Sequence, residues 1–248
     1  MRIRHLVEKI LDLMGYQIIL HKSIKIQPKW QGSKFDRNYL EKIAIKLNSW
    51  MQESPKNLLE IGANLGQDSA YLSKVWNIKN TNVYCLEPIK EFAEMIRAKY
   101  HFSVFELAAF NISGKMEFNN GLTDETKVGN AGSSSLLRKK SKYESNIQLV
   151  ETIRMDDWLT QNKISHIDFL KIDAEGASYE ILEGFGDLIH LVKVIQIETE
   201  RKEFWENQKT EKMVFQFLEA LGFELVDYVL SSPPTQGDSL WIKKELIY

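Results

Sequence analysis

Cysteine is nearly missing from this chain: Cys85 is the only one in 248 residues. It has no partner for an internal disulfide and cannot supply a thiolate cluster for zinc, so a reducing, cytoplasmic setting is expected. Long apolar runs are missing as well. No stretch of about 18 apolar residues occurs, which excludes a spanning helix. The start, MRIRHLVEKILDLMGYQIIL, goes from basic to apolar but is broken by Glu8, Lys9 and Asp12 and is followed by no small-residue cleavage site, which argues against a signal peptide. A strong net charge is absent too: the formal value is −2, too little to draw in a phosphate backbone, and no nucleic-acid partner is expected. The five histidines (5, 21, 101, 166 and 190) include no pair at metal-ligand spacing, and no internal repeat points to a solenoid.

With 44% hydrophobic and 27% charged residues, the chain has the composition of a globular protein and the length of one large α/β domain with an appendage. Its charge is uneven. Residues 1–34 carry seven Lys/Arg against Glu8 and Asp12, a balance of +5, which leaves −7 on the remaining 214. Ile3, Leu6, Val7, Ile10 and Met14 follow helical spacing and Gly15 stands where a helix would stop. Residues 1–50 therefore read as a basic N-terminal helical appendage, packed on the body or touching a membrane surface or partner, and residues 51–248 as the main domain.

From residue 57 short apolar runs alternate with amphipathic segments, the pattern of βα units around a parallel sheet. Strands are expected at 57–61, 82–87, 102–107, 167–172, 192–198 and 223–229. Helices are expected near 67–77, 89–100, 177–184 and 209–221. The tail 238–243 reads as a last strand returning antiparallel beside 223–229, since the connection is short. Residues 119–146, polar and rich in Gly and Ser, are too long for an ordinary loop and read as a lid or a flexible segment.

The first βα turn, LEIGANLGQ, places Gly62, Ala63, Asn64 and Gly66 at the carboxyl end of a strand, where open parallel sheets bind ligands. Glu87 closes the next strand, just before Pro88 and 21 residues after Gly66, the spacing of a carboxylate that accepts hydrogen bonds from a ribose. An adenosine cofactor is implied. Asn64 replaces the second glycine of a dinucleotide loop, and Glu60 and Asp68 would repel a diphosphate, so the turn favours S-adenosyl-L-methionine over NAD. Ser69, in the helix that follows, completes the candidate set around this turn.

Beyond that turn, CLEP, Glu106–Ala109 followed by SGKMEF, Ser133–Leu137, Thr152–Leu159 and DFLKIDAEGASYEILEG follow in order. With these pieces, residues 57–200 resemble the FkbM family of methyltransferases. The resemblance implies an α/β, Rossmann-like class I methyltransferase fold: a mostly parallel seven-stranded sheet, order 3-2-1-4-5-7-6, with helices on both faces. It implies that Glu60, Gly62, Asn64 and Gly66 surround the methionine half of the cofactor, that Glu87 holds the ribose, and that Ala108 and Ala109 flank the adenine. It points to O-methylation of a hydroxyl on a sugar, glycan or glycosylated metabolite. Glu60 stands where the family commonly has Asp, and Met155 where it commonly has Leu.

Within DFLKIDAEG, Lys171 interrupts a strand that should be apolar, and Asp173 and Glu175 end it. Period-two alternation puts Lys171 and Asp173 on one side. Burying a lysine is costly unless it is paired, so the cluster is either a structural ion pair or the reaction centre. Glu198 and Glu200 end the neighbouring strand and could face the same cleft. Methyl transfer to a hydroxyl needs alignment and a proton acceptor. Asp173, Glu175 and Glu198 are the base candidates, with Lys171 orienting a carboxylate or lowering an acceptor's pKa. Carboxylates on adjacent strand ends could instead hold a divalent metal, the less favoured reading, and no residue is assigned as a metal ligand. Cys85 reads as an ordinary buried residue, the run Arg138, Lys139, Lys140 and Lys142 as a solvated face or an anion contact, and Phe204 and Trp205 as packing. A nicotinamide-dependent oxidoreductase and a non-catalytic cofactor-binding module are the competing readings.

Overall fold

The computed structural model describes residues 16–20, 24–28, 34–51, 53–120, 134–140, 146–231 and 233–247. Its centre is a seven-stranded sheet. Strands β3 (Leu58–Ile61), β4 (Val83–Leu86), β5 (Ser103–Phe105), β9 (Ile167–Ile172) and β10 (Val192–Glu200) are parallel neighbours. They are joined by β12 (Gln236–Lys243), antiparallel to both β10 and β11 (Phe223–Leu230). The order β11-β12-β10-β9-β3-β4-β5 is the expected 3-2-1-4-5-7-6 arrangement with an antiparallel seventh strand. Strand order reverses between β3 and β9, so a crevice opens at their carboxyl ends.

Alternation along the strands sorts the core into two layers. Leu58, Phe169, Val194 and Ile242 face one side, covered by helices α1 (Lys34–Trp50) and α2 (Gln67–Val75) together with Ile96 of α3 (Lys90–Tyr100). Leu59, Leu170, Ile195 and Trp241 face the other, under α4 (Met155–Gln161), α5 (Ser178–Gly184) and α6 (Glu211–Ala220). Cys85 is fully buried in the first layer, and burial pushes its thiol well above the ordinary range, as befits an inert packing residue.

The N-terminal region differs from the expected helical appendage. Tyr16–Leu20 (β1) and Ile24–Pro28 (β2) pair as an antiparallel hairpin. Helix α1 is not appended at all: Leu40, Ile43 and Leu47 are completely or almost completely buried against the sheet, because their i, i+3, i+7 spacing gives α1 an apolar stripe. The amphipathic segment expected over residues 3–14 lies outside the described residues. Among those described, no helix is long and apolar enough to cross a membrane.

A second, three-stranded sheet was not anticipated. β8 (Asn146–Ile153) pairs antiparallel with β7 (Gly114–Asn120) and parallel with β6 (Ala108–Ala109). The segment expected as a lid thus connects β7 to β8, and residues 121–133 and 141–145 of it lie outside the described residues. Its described part is tied down. The Ser135 backbone exchanges hydrogen bonds with Asn119, Ser135 Oγ donates to the Glu175 carbonyl at 2.6 Å, and Lys140 N–H donates to the Phe204 carbonyl.

Candidate active site

At the crevice a cavity of about 290 Å³ runs along the carboxyl ends of β4, β3, β9 and β10. One end is apolar. Ile89, Phe92, Leu107, Ala108, Ala109, Phe118 and Leu136 line it, drawn from α3, the small sheet and the tied-down segment. The small side chains of Ala108 and Ala109 leave a slot between larger apolar groups, which suits a planar ring.

Glu87 sits beside this slot, only 4% exposed. Its Oε2 accepts the Asn64 N–H at 2.7 Å and its Oε1 the Ile89 N–H at 2.9 Å. Each oxygen keeps a second lone pair for a ligand hydroxyl. The clamp depends on Asn64 being in the left-handed region (φ 48°), which asparagine tolerates better than most residues. Gly62 is required for a different reason. A Cβ there would lie 1.9 Å from the Asp173 carbonyl, so only glycine lets the β3 and β9 ends approach this closely, at φ 79°.

At the other end the cavity wall is acidic. Lys171, 4% exposed, reaches Asp173 at 2.9 Å, Asp68 at 3.1 Å and Glu60 at 3.5 Å. Burial alone would lower the lysine, but these three acids outweigh it and hold it well above its usual value. Glu60 also takes the Ser69 Oγ and N–H. Beyond Asp173 stand Glu175, Glu198 and Asp238, with Tyr39 of α1 donating from its hydroxyl to the Asp238 carbonyl at 3.2 Å. Glu175 holds φ 41° and Gly176 φ 87° in the turn after β9. A Cβ on Gly176 would meet the Trp205 ring at 2.3 Å, so Trp205, 2% exposed, presses the turn into place. That is the packing role expected of it.

Most of the sequence-predicted residues converge here: Glu60, Gly62, Ala63, Asn64, Glu87, Pro88, Ala108, Ala109, Lys171, Asp173, Glu175 and Glu198 all line the one cavity. Two do not. Gly66 turns the chain into α2 at φ 68°, and Ser69 is buried beneath the wall on Glu60; they support the site rather than line it. Arg138 and Lys140 pair with Glu117 and Glu203 at the surface. Tyr39, Asp68, Gln196 and Asp238 line the cavity without having been assigned to it. Gln196 had a signal, a polar residue in the otherwise apolar run VIQI. Tyr39 had none, because its helix was read as part of the appendage.

Burial, in each case the largest influence, pushes the carboxyls upward: Glu87 and Glu175 to about 8, Glu60 and Glu200 to about 7, Asp238 to about 6. Neighbouring acids add to this, as Asp173 does at Glu175 and Glu200. The native protein therefore keeps protons that the unfolded chain has already released, and stability falls as pH rises from about 4.5 to about 8. Melting curves of the ligand-free protein at pH 5.5, 7 and 8.5 should show a steady fall in Tm. A flat profile would mean that the acids are ionised and already compensated.

The donor set fits S-adenosyl-L-methionine. A buried carboxylate stands at the second strand end beside an apolar slot, and the one cation of the described wall, Lys171, is already engaged by three acids, so a diphosphate would find no partner. Glu87 would hold the ribose, Ala108 and Ala109 would border the adenine, and Asn64, Gln67 and Asp68 would face the amino-acid end.

Sheet order, crevice and cavity together define a class I methyltransferase fold. The O-methyltransferase from Bacillus cereus in complex with SAH shares that fold, with a TM-score of 0.50 at 14% identity over 88% of this chain and 84% of that one. Residues 60–225 match the methyltransferase FkbM domain, and the chain belongs to that family: it is an S-adenosylmethionine-dependent methyltransferase. It is also 25% identical over 199 residues to the 2-O-methyltransferase NoeI of Sinorhizobium fredii, covering 75% of this chain and 79% of that protein. Tyr39 and Asp238 lie outside the family-matched segment.

Proposed function

We propose that this methyltransferase acts on oxygen, transferring a methyl group to a hydroxyl of a sugar, glycan or glycosylated metabolite in the cytoplasm. The observation that carries this reading is the acidic wall beyond Lys171: Asp173, Glu175, Glu198 and Asp238 offer hydrogen-bond acceptors, and a proton acceptor, to a hydroxyl-rich molecule. The relative named as a 2-O-methyltransferase supports it. When bound, S-adenosylmethionine supplies a methyl group on a sulfonium whose departure needs no acid catalyst.

The work left to the protein is to align the acceptor oxygen and take its proton. Asp173 is the base in this reading. Lys171 holds its Oδ2 at 2.9 Å and so fixes the carboxylate's orientation. Glu175 and Glu198 face the same cavity and can hydrogen-bond the acceptor's hydroxyls. A nicotinamide-dependent oxidoreductase is disfavoured by the acidic wall, and a non-catalytic module by the intact cluster.

The test uses methyl-labelled donor with a panel of mono- and oligosaccharides, amines and carboxylic acids. Alkali-stable label on sugar hydroxyls is expected. Label confined to amines, or to base-labile esters, would overturn the assignment.

A further inference from the structure

We propose that Asp173, Glu175 and Glu198 form a binding site for one divalent cation at the acceptor end of the cavity. One carboxylate oxygen from each of the three lies within 4.8 Å of the others. Oxygen ligands on opposite sides of a calcium-sized ion, each at about 2.3–2.6 Å, stand roughly 4.6–5.2 Å apart, so three oxygens this close can all touch one ion. The ligands are all hard oxygens, the donor type that suits magnesium, manganese or calcium. They come from rigid positions: the end of β9, the turn pressed down by Trp205, and the end of β10.

A second observation points to a cation. Glu198 gives Oε2 to the Gln236 side chain at 3.1 Å, but its Oε1 is buried with no hydrogen-bond partner among the described residues. Two residues earlier on the same face of β10, Gln196 is 3% exposed and lines the same cavity. Its amide nitrogen donates to Asp238 Oδ1, and its amide oxygen likewise has no donor among the described residues. Leaving a buried acceptor unmet costs about 1–3 kcal/mol, and more when it is charged. Two unmet acceptors in one wall call for a positive partner.

Charge balance agrees. Among the described residues lining the cavity, Lys171 is the one Lys or Arg, against Glu60, Asp68, Glu87, Asp173, Glu175, Glu198 and Asp238. It is already shared by Glu60, Asp68 and Asp173. Lys139, outside the cavity lining, lies over the Trp205 ring, 5.3 Å from its centroid, and acts on Glu175 more weakly than burial and the neighbouring acids do. Of the three clustered carboxyls only Asp173 is met by the ammonium, and a divalent ion, displacing any proton they carry, supplies the positive charge the wall lacks. The inference deepens the O-methylation reading and rests on it for the ion's task, which is to polarise the acceptor hydroxyl and ease loss of its proton.

The test reads binding, not turnover. Chelator-treated full-length protein with bound S-adenosylhomocysteine is titrated with Mn²⁺ while electron paramagnetic resonance follows the free ion. One Mn²⁺ per chain is expected, with affinity at least about tenfold weaker in Glu198→Gln and in Glu175→Gln, because ligand charge count tunes the site. Circular dichroism confirms that the variants fold. No uptake by the wild type at millimolar Mn²⁺ would overturn the site, whatever the variants do. Uptake undiminished in both variants would place the ion elsewhere and overturn it equally. A protein that binds Mn²⁺ but methylates no sugar keeps this site and loses the acceptor assignment; one that methylates sugars without binding the ion does the reverse.

Discussion

Replacing Asp173 with asparagine is expected to lower turnover by at least about 10²-fold, the lower bound for losing a positioned general base. The substitution is nearly isosteric. Its amide oxygen can still accept from Lys171, whose Nζ lies 2.9 Å from the native Oδ2, so the side chain should stay in place while its basicity is lost. Two measurements separate the possible roles. Steady-state turnover on an identified acceptor reports the chemistry, and calorimetry with S-adenosylhomocysteine reports cofactor binding. A proton-acceptor role predicts a fall in kcat with the dissociation constant within about threefold of wild type. A rise in that constant matching the loss of activity would instead make Asp173 a cofactor residue. Near-normal turnover would make the cluster structural and move the search for a base to Glu198, whose carboxyl faces the same cavity from the adjacent strand.

The parallel strands were legible in the sequence because they are buried on both faces and read as apolar runs, and the charged residues that end them stood out for the same reason. Lys171 shows this best: one lysine within DFLKI, predicted to need a carboxylate, has three. Glu87 was legible from spacing alone, because a βα unit has a nearly fixed length. The small sheet was not. β8 exposes Ile147 and Leu149 while burying Val150 and Thr152, so hydrophobicity along it does not track burial, and β6 is only two residues long. Helix α1 was misplaced because the basic charge of residues 1–34 was extended to a helix that begins at Lys34 and packs as core. That error hid Tyr39. Asp238 was hidden differently: a lone acid in a terminal strand has no local signature, and only the pairing of Glu198 with Asp238 across β10 and β12 brings it to the site.

Lys171→Met should be strongly destabilising. The lysine is buried among Glu60, Asp68 and Asp173, and methionine matches its length without its charge. Removing one partner of a buried ion pair leaves the others uncompensated, at a cost of about 3–5 kcal/mol. In a chain of this size about 1 kcal/mol corresponds to 2–4 °C, so Tm should drop by roughly 6–20 °C. The pH dependence identifies the cause. Without the ammonium, the buried Glu60 carboxyl is pushed further upward; stability from such a raised group is present at low pH and lost as pH rises through its folded-state value. Glu60, already pushed up to about 7 with the lysine in place, should dominate this loss. The deficit of Lys171→Met relative to wild type should therefore be small near pH 5 and largest near pH 8. Adding Glu60→Gln, which keeps a partner for Ser69 and removes the most buried of the three charges, should recover part of the lost Tm at pH 8 and little at pH 5. A deficit that does not change with pH, or a double variant no better than the single one, would show that Lys171 stabilises the fold by packing rather than by compensating charge.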